Sequence, residues 1–349
     1  MKRTPVILAC TSLLTLGCSS LSGSGGPVGI DVGGIEGITA EVVIDGLMNP
    51  SCVTFDSDGK MYVADSGNGQ ILVHDDGKTR PYITGFETEY WKVDANTGAK
   101  RYKLGPLAAL WMGDQLAVSD SGLKDGVDRI SFFTGPGTAA DGRHTNSVPP
   151  TSYDPADKGE GNYIGLAADG DTLYAAGQGA DAKSWVMKGS SEQSTLEPFL
   201  SADEHGIQIN SPMQVLIENS SSLLVLYSGA GGKEDGLLVR WNLKTQMPAE
   251  IWPLPGIKDP MGMAFFPGSK EKLAVVDNNW ALHAVNPGAV FEVTIPDSSA
   301  TTPPIRALAT DLRGPVSCTF GPDKRLYITQ LGEQFDAGKG QVVALTGLR

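Results

Sequence analysis

Motifs that would point to one chemistry are scarce in this chain of 349 residues. Its histidines show no ligand spacing such as His-x-x-x-His, which disfavours a zinc site. There are four of them: His74, His144, His205 and His283. A glycine-rich phosphate loop with lysine and a Gly-x-Ser-x-Gly nucleophile motif are both missing. These absences argue against zinc enzymes, phosphate-loop nucleotide binding and serine hydrolases of that type.

Sustained helical periodicity is also missing, whereas turn-forming residues are abundant, with 44 glycines and 22 prolines. This composition predicts an all-β fold made of many short strands. Acidic residues outnumber basic ones by 40 to 27, which gives a net charge of −13. An acidic surface repels nucleic acid, so we expect no nucleic-acid partner. We expect the protein to be a monomer.

The N-terminus has the composition of an export signal. Lys2 and Arg3 precede an apolar segment, residues 6–16, that is too short to span a bilayer. The sequence Leu-Thr-Leu-Gly-Cys, which ends at Cys18, resembles a bacterial lipoprotein signal and implies lipidation of Cys18. Ordinary secretion is the alternative, because a plain signal also ends in small residues. The resemblance implies a periplasmic or outer-membrane protein that touches the membrane only through its lipid anchor.

The chain divides into three predicted parts. Residues 1–18 form the signal, and residues 19–37 form a Gly/Ser-rich tether of the flexible type. Residues 38–349 form one domain, because related segments follow one another along it with no linker between them.

Six copies of one unit make up this domain. Each copy begins with a Pro-x-x-x-x-apolar segment, except that the third has asparagine in place of proline. The segments are residues 50–55, 106–111, 162–167, 212–217, 260–265 and 315–320. A second strand follows each segment, anchored by an apolar residue that recurs every 49 to 57 positions. The anchors are Met61, Leu116, Leu173, Leu224, Leu273 and Leu326.

Each unit also has room for two more strands. The third strands are predicted at residues 71–74, 128–133, 184–187, 237–241, 290–295 and 341–345. The fourth strands are predicted at residues 81–84, 147–153, 196–200, 249–252 and 305–309. The sixth unit lacks sequence for a fourth strand, which residues 40–44 can supply from the N-terminus. The pattern predicts a six-bladed β-propeller with four-stranded blades, closed by the N-terminal strand. Two separate sandwiches or a β-solenoid are the alternatives, although solenoid repeats are shorter.

The first unit resembles an NHL repeat. Its sequence from residue 50 is Pro-Ser-Cys-Val-Thr-Phe-Asp-Ser-Asp-Gly-Lys-Met-Tyr-Val-Ala-Asp, and residues 314–329 are similar. The resemblance implies the six-bladed architecture that gluconolactonase-type and strictosidine-synthase-type propellers share. Gluconolactonase-type enzymes hold a divalent metal in the central channel, with ligands at the starts of the innermost strands. Here the two residues after each proline, or after Asn162, include no acid, histidine or asparagine, which departs from that pattern.

Three carboxylates end second strands in different units: Asp65, Asp120 and Asp277. In a propeller these positions lie on one loop face, so the three could form a ring at the mouth of the channel and bind a cation or an amine. Alternatively, each aspartate caps its own turn through hydrogen bonds to backbone N–H groups. The Asp-Ser-Gly sequence at residues 65–67 is typical of turns and favours the second hypothesis.

Aromatic residues and one histidine extend the same loop face. Tyr90 and Trp91 lie in a long charged loop and either form a binding surface or fold back as a plug over the channel. Trp280 follows two asparagines, and Tyr163 stands at the start of the third unit. His205 follows two acids and could act as a base, although a histidine in a polar loop is usually just solvated.

Two cysteines remain in the domain, Cys52 and Cys318, in the first strands of units one and six. These strands become neighbours when the ring closes, and the compartment is predicted to be oxidising, so a disulfide is possible. The alternative is two buried thiols, because neighbouring first strands can be too far apart for a bridge.

The absence of a recognisable catalytic set favours a binding or scaffold module that uses its loop face for a protein or small-molecule ligand and needs no cofactor. The alternative is a hydrolase or lyase of the gluconolactonase type with altered ligands. In that case Asp65, Asp120 and Asp277 would hold a divalent metal such as calcium.

Overall fold

A computed structural model describes residues 28–30, 32–124, 127–147, 161–178, 185–209, 211–281, 283–296 and 300–348. Its strands are numbered β1 to β29 along the chain. The predicted signal, Cys18 and the first half of the predicted tether lie outside these residues. In the part of the chain that is described, no helix has the length and apolar character needed to cross a membrane.

Six antiparallel sheets of four strands form the blades, which confirms the predicted fold. The strands of blades 1 and 2 are β4 (Pro50–Phe55), β5 (Met61–Asp65), β6 (Gln70–Asp75), β7 (Lys78–Thr84), β10 (Pro106–Met112), β11 (Gln115–Asp120), β12 (Arg129–Phe133) and β14 (Arg143–Ser147). Those of blades 3 and 4 are β15 (Gly161–Asp169), β16 (Thr172–Gln178), β17 (Trp185–Gly189), β18 (Thr195–Ser201), β19 (Ser211–Asn219), β20 (Ser222–Ser228), β21 (Leu237–Asn242) and β22 (Pro248–Pro253). Those of blades 5 and 6 are β23 (Pro260–Phe265), β24 (Lys272–Asp277), β25 (Pro287–Thr294), β26 (Ile305–Arg313), β27 (Pro315–Phe320), β28 (Leu326–Gln330), β29 (Gly340–Thr346) and β3 (Thr39–Leu47).

The ring closes as predicted, because β3 from the N-terminus is the fourth strand of blade 6. It pairs with β29, where Val42 lies opposite Val343 and Ala40 lies opposite Leu345. The Arg325 guanidinium of the last blade also donates to the carboxylate of Glu41 on β3. Both chain ends therefore hold one sheet together, and the seam leaves no open inner edge.

The predicted tether differs from the structure in its second half. Strand β1 (Val28–Ile30) pairs with β3, and strand β2 (Gly33–Gly34) pairs with β26 at the outer edge of blade 5. These short strands cover outer edges that would otherwise present unpaired backbone groups. The Gly/Ser-rich composition of this stretch therefore did not predict these two strands, because glycine does not prevent pairing at a sheet edge.

The fourth strand of blade 2 was predicted at the wrong place, residues 147–153, since it ends at Ser147. Residues 148–153 lie outside the described part of the chain. Strand β14 pairs antiparallel with β12 and then parallel with β18 of blade 3, where Asn146 lies opposite Thr195. An outermost strand made of polar residues has no apolar alternation to reveal it.

Blade faces pack against each other, so the inner strands are buried on both sides. Every residue of β5 and β20 is buried, which explains why their apolar residues form continuous runs, with Asp65, Ser222 and Ser228 only at the strand ends. A separate hairpin, β8 (Glu89–Val93) and β9 (Lys100–Leu104), connects blades 1 and 2 and lies on the loop face. Residues of this hairpin line the central cavity.

Candidate functional site

Residues at or just before the start of the first strands line the central channel, in two sets. Where both sets are present in one blade, their members are two residues apart. The set at the strand entrances, here called the upper ring, is Asn49, Asn162, Ser211 and Asp259. The second set, here called the lower ring, is Ser51, Leu107, Ile164, Met213, Met261 and Val316.

These two rings enclose a cavity of about 450 Å³ on the loop face of the propeller. The side chains of the upper ring are polar, whereas those of the lower ring are apolar except for Ser51. Asn278, Ser228 and the Gly229–Ala230–Gly231 segment complete the wall. The cavity therefore offers both hydrogen-bonding groups and hydrocarbon surface.

Aromatic residues roof this cavity. Trp91 and Tyr102 come from the β8–β9 hairpin, and Trp280 comes from the loop after β24. The three rings lie about 6 Å apart, with centroid distances of 6.0 Å from Trp91 to Tyr102 and 6.1 Å from Trp91 to Trp280. Tyr102 also stacks on Phe335 of blade 6 at 4.4 Å. Of the two predicted aromatics, Trp91 is part of the roof, whereas Tyr90 points to solvent and is 42% exposed.

The hairpin is fixed over the channel by one carboxylate. Asp336, in the loop between β28 and β29, accepts hydrogen bonds from the backbone N–H groups of Tyr102 at 2.9 Å and Lys103 at 2.8 Å. The Asn49 amide donates to the same carboxylate at 2.6 Å and accepts from the Asp336 N–H at 2.9 Å. The Tyr102 hydroxyl donates to the Ala281 carbonyl at 2.8 Å, which ties the hairpin to blade 5.

Three residues of this contact have left-handed backbone conformations: φ is +49° at Asn49, +55° at Tyr102 and +61° at Asp336. Such conformations cost free energy in residues with a side chain, most clearly in a bulky one such as Tyr102, and they collect at binding sites and clamps. Asn162 in the upper ring has a φ of +35°. Four of the nine non-glycine residues with positive φ in the described part of the chain thus lie at the cavity or at the contact that holds its roof.

Asp259 is the only residue with a carboxylate among the described residues that line the cavity. Its oxygens accept hydrogen bonds from the Gly232 N–H at 3.0 Å and the Trp280 N–H at 2.7 Å. Burial raises the pKa of Asp259, and the charges of Asp277 and Asp235 raise it further against these hydrogen bonds. The upper ring thus holds an acid whose pKa is displaced toward neutrality.

Asp65 and Asp277 both bind the loop that precedes a first strand, and of the two only Asp277 accepts a backbone N–H from its own turn. Asp65 accepts from the Met48 N–H and from the side-chain amides of Asn68 and Gln70 at 2.7 to 2.8 Å. Asp277 accepts from the backbone N–H groups of Lys258, Asp259 and Asn279 at 2.8 to 3.2 Å. Neither lines the cavity, so they do not form a ring at its mouth.

Asp120 is the last residue of β11 in blade 2, and it is likewise absent from the cavity lining. It accepts from the Arg129 guanidinium at 2.9 Å, and burial raises its pKa. Its neighbour Asp128 is only 1% exposed, and burial raises the pKa of that carboxyl to about 8. Asp128 accepts from the Asn162 N–H at 2.7 Å, which links this buried pair of acids to the upper ring.

Tyr163 and His205 are not in the site. Tyr163 lies between two channel-facing positions, so its side chain points the other way and packs in the core between blades 2 and 3. His205 ends a single 3-10 turn and packs against Trp241 at 5.5 Å. Trp280 is the predicted residue that the structure brings to the cavity together with Trp91.

The possible disulfide is not formed, because Cys52 and Cys318 are both free. The Cys52 sulfur lies 3.5 Å from the Ala109 carbonyl of blade 2, whereas the Cys318 sulfur lies 3.8 Å from the Ala274 carbonyl of blade 5. The two thiols therefore point away from their shared seam. Burial raises the pKa of Cys52 to about 11 and that of Cys318 to about 12.

The described residues do not fit the divalent metal that the gluconolactonase resemblance implies. No group of three or more histidine, cysteine or acidic side chains lies close enough for a metal within the described ranges. The cavity lining offers one carboxylate, and the amide of Asn49 is occupied by Asp336 and the Lys103 carbonyl. Calcium takes six to eight oxygens, so this donor set is too small.

Comparison with known proteins agrees with the geometry. Residues 47–73 match the model of the NHL repeat. The chain is therefore a six-bladed β-propeller that carries an NHL repeat in its first blade. A search of curated protein sequences gives no significant match.

Several solved structures share this fold. A gluconolactonase from Xanthomonas campestris matches with a TM-score of 0.60 and 11% identity, over 93% of this chain and 99% of that one. A PQQ-bound aldose sugar dehydrogenase from Streptomyces coelicolor matches with a TM-score of 0.58 and 10% identity, over 90% and 99%. A glucose dehydrogenase matches with a TM-score of 0.56 and 15% identity, over 89% and 100%.

Proposed function

We propose that the protein is an enzyme that binds a sugar or a sugar-derived lactone in the central cavity and acts on it there. The observation that carries this proposal is the placement of aromatic faces over a polar ring with one buried carboxylate. Trp280 and Asp259 are held in fixed relation, because the backbone N–H of the tryptophan donates to the carboxylate at 2.7 Å. Sugar rings present C–H groups on their faces and hydroxyls around their edges, and both match this arrangement.

The size of the cavity supports a small-molecule ligand rather than a protein partner. Pockets for small ligands usually measure roughly 300–1,000 Å³ and combine apolar walls with a few placed polar groups. The 450 Å³ found here lies in that range. A roof made by the β8–β9 hairpin would also obstruct a protein segment more than a small ring-shaped molecule.

Other proteins of this fold are named for acting on sugars and sugar lactones. The similar solved structures include a gluconolactonase and sugar dehydrogenases, which favours the enzyme alternative over a scaffold. At identities of 10 to 15%, these likenesses indicate the fold only. The residues of the cavity therefore have to carry the chemistry in this chain.

Asp259 is the residue we propose as the acid–base group. For a lactone substrate, its carboxylate would take a proton from water while the water oxygen attacks the carbonyl carbon. The ring C–O bond would then break, and the released oxygen would be protonated to give the open hydroxy acid. A base works best when its pKa lies near the working pH, and burial moves the pKa of Asp259 in that direction.

Calorimetric titration with glucose and a pH-stat assay with glucono-1,5-lactone test the proposal. We expect binding of the sugar and lactone opening above the spontaneous rate. EDTA should leave that rate unchanged, because the described cavity residues do not fit a metal. We expect Asp259→Asn to lower the rate by roughly 10²-fold or more while glucose still binds. The matched control is Asp114→Asn, because Asp114 is exposed in the turn between β10 and β11 and does not line the cavity.

Two results would change the proposal. Binding of the sugar without turnover would leave the protein a binding module. Absence of both binding and turnover with sugars and lactones would contradict the proposed substrate class.

A further inference from the structure

The cavity has a polar set and a larger apolar set of lining side chains. Asn162, Ser211 and Asp259 carry amide, hydroxyl and carboxylate groups, whereas the lower ring apart from Ser51 is hydrocarbon or thioether, and Leu104 and Leu331 add apolar surface. From this division, and on the basis of the proposed function, we infer that the natural ligand is amphipathic. Its sugar-derived part lies at the upper ring, and an apolar substituent extends into the lower ring.

The lower ring has almost no hydrogen-bonding capacity to offer a hydroxyl-rich ligand. Five of its six members are Leu, Ile, Met, Met and Val, each from a different blade. The sixth, Ser51, donates its hydroxyl hydrogen to the Pro106 carbonyl at 3.1 Å. A free sugar that filled the whole cavity would therefore bury hydroxyls against hydrocarbon without new partners, which costs free energy. An alkyl or aryl group in the same place gains from leaving water.

Polar contacts are concentrated on one side of the mouth. Ser211, Ser228 and Asp259 come from blades 4 and 5, as does Trp280, whereas the Asn278 amide donates to the Pro315 carbonyl. Asn49, on the opposite side, uses its amide to hold Asp336 and the Lys103 carbonyl. The sugar-derived part is thus best placed against blades 4 and 5.

Two methionines line the cavity on the same side. Met213 follows Ser211 and Met261 follows Asp259 by two residues, so both belong to the strands that carry the proposed sugar position or follow it directly. Methionine is flexible and polarisable, and it adapts to apolar groups of different shapes. A linear or aromatic substituent on the sugar can therefore extend from the carboxylate toward these side chains.

Calorimetric titration of the full-length protein with glucose and with methyl, propyl, butyl and hexyl β-D-glucosides tests the inference. We expect the affinity to rise roughly three- to fourfold for each added methylene until the lower ring is filled. Met261→Gln should flatten this series, because it places a polar amide in the lower ring. The matched control is Met247→Gln, because Met247 is 50% exposed on the outside of the propeller and should leave the series unchanged.

The outcomes separate this inference from the proposed function. Equal affinities for glucose and butyl glucoside would overturn the amphipathic ligand while sugar binding stands. If no glucoside binds, the proposal that the ligand contains a sugar is wrong. Titration with hexanol then tests the apolar lower subsite by itself. Binding of hexanol that Met261→Gln weakens would support the apolar lower subsite, and no binding would overturn it.

Discussion

Asn49 and Asp336 are 287 positions apart in the chain, yet two hydrogen bonds join them. The Asn49 amide donates to the Asp336 carboxylate at 2.6 Å, and its oxygen accepts from the Asp336 N–H at 2.9 Å. Both residues have positive φ, and the same carboxylate also receives the N–H groups of Tyr102 and Lys103. One acid of blade 6 therefore positions the upper ring and the aromatic roof together.

Replacing that acid should loosen the roof. Asp336→Ala removes the acceptor for the Tyr102 and Lys103 N–H groups, and we expect a loss of roughly 2–4 kcal/mol in the free energy of unfolding. Hydrogen exchange should accelerate at the amides of the β8–β9 hairpin while those of β5 stay protected. Asp76→Ala is the control, since Asp76 also has positive φ but lies exposed in the turn between β6 and β7. Unchanged exchange in the hairpin of the Asp336 variant would contradict this role.

Buried Asp128 should make stability depend on pH. Burial raises its pKa from 3.8 to about 8, so the folded state keeps a proton that the unfolded state releases above pH 4. The contribution of Asp128 to the free energy of unfolding should therefore be largest below about pH 4. It should fall as the pH rises from about 4 to about 8. Asp128→Asn, which keeps an acceptor for the Asn162 N–H, should reduce that fall by an amount on the order of a few kcal/mol.

Chemical denaturation between pH 2 and pH 9 measures this effect together with that of the control. Asp94→Asn is the control of opposite sign, because the Asn96 N–H holds the pKa of Asp94 below its usual value, with the Thr97 N–H contributing. Its contribution to stability is present above its unfolded pKa and is lost only as the pH falls into the acid range. Parallel profiles for the wild type and Asp128→Asn would show that Asp128 is not buried as described.

The cysteines of the domain should be present as thiols that react slowly. In a chain carrying Cys10→Ser and Cys18→Ser, we expect two thiols per molecule after denaturation without reductant. Labelling of the native protein near pH 8 should be slow, because burial keeps Cys52 and Cys318 protonated. Mass spectrometry that finds no labelled cysteine in the denatured protein would instead indicate a disulfide.

The sequence was sufficient to predict the blades, because each unit repeats a strand, a turn and a buried second strand. It also predicted the closing strand, since residues 40–44 had no other unit to join. Part of the site was within reach by the same logic. The residue before each proline leads directly into the inner strand, which would have placed Asn49 and Asp259 at the channel. The residues after each proline belong to the lower ring only.

The rest of the site depends on contacts that local patterns do not encode. Tyr102 reaches the cavity only because its hairpin docks on Asp336, 234 positions away. The roles of Asp65 and Asp277 depend on which N–H groups surround them after folding, since an Asp-rich turn has the same sequence whether or not it binds a ligand. These roles depend on tertiary packing, which the periodicity of the sequence does not predict.

A crystal structure of the protein soaked with butyl β-D-glucoside tests the central claim most directly. We predict electron density in the cavity, with the sugar ring beside Trp280 and Asp259 and the alkyl chain against Met213 and Met261. An empty cavity, or ligand bound elsewhere, at a concentration that saturates binding in solution would contradict it.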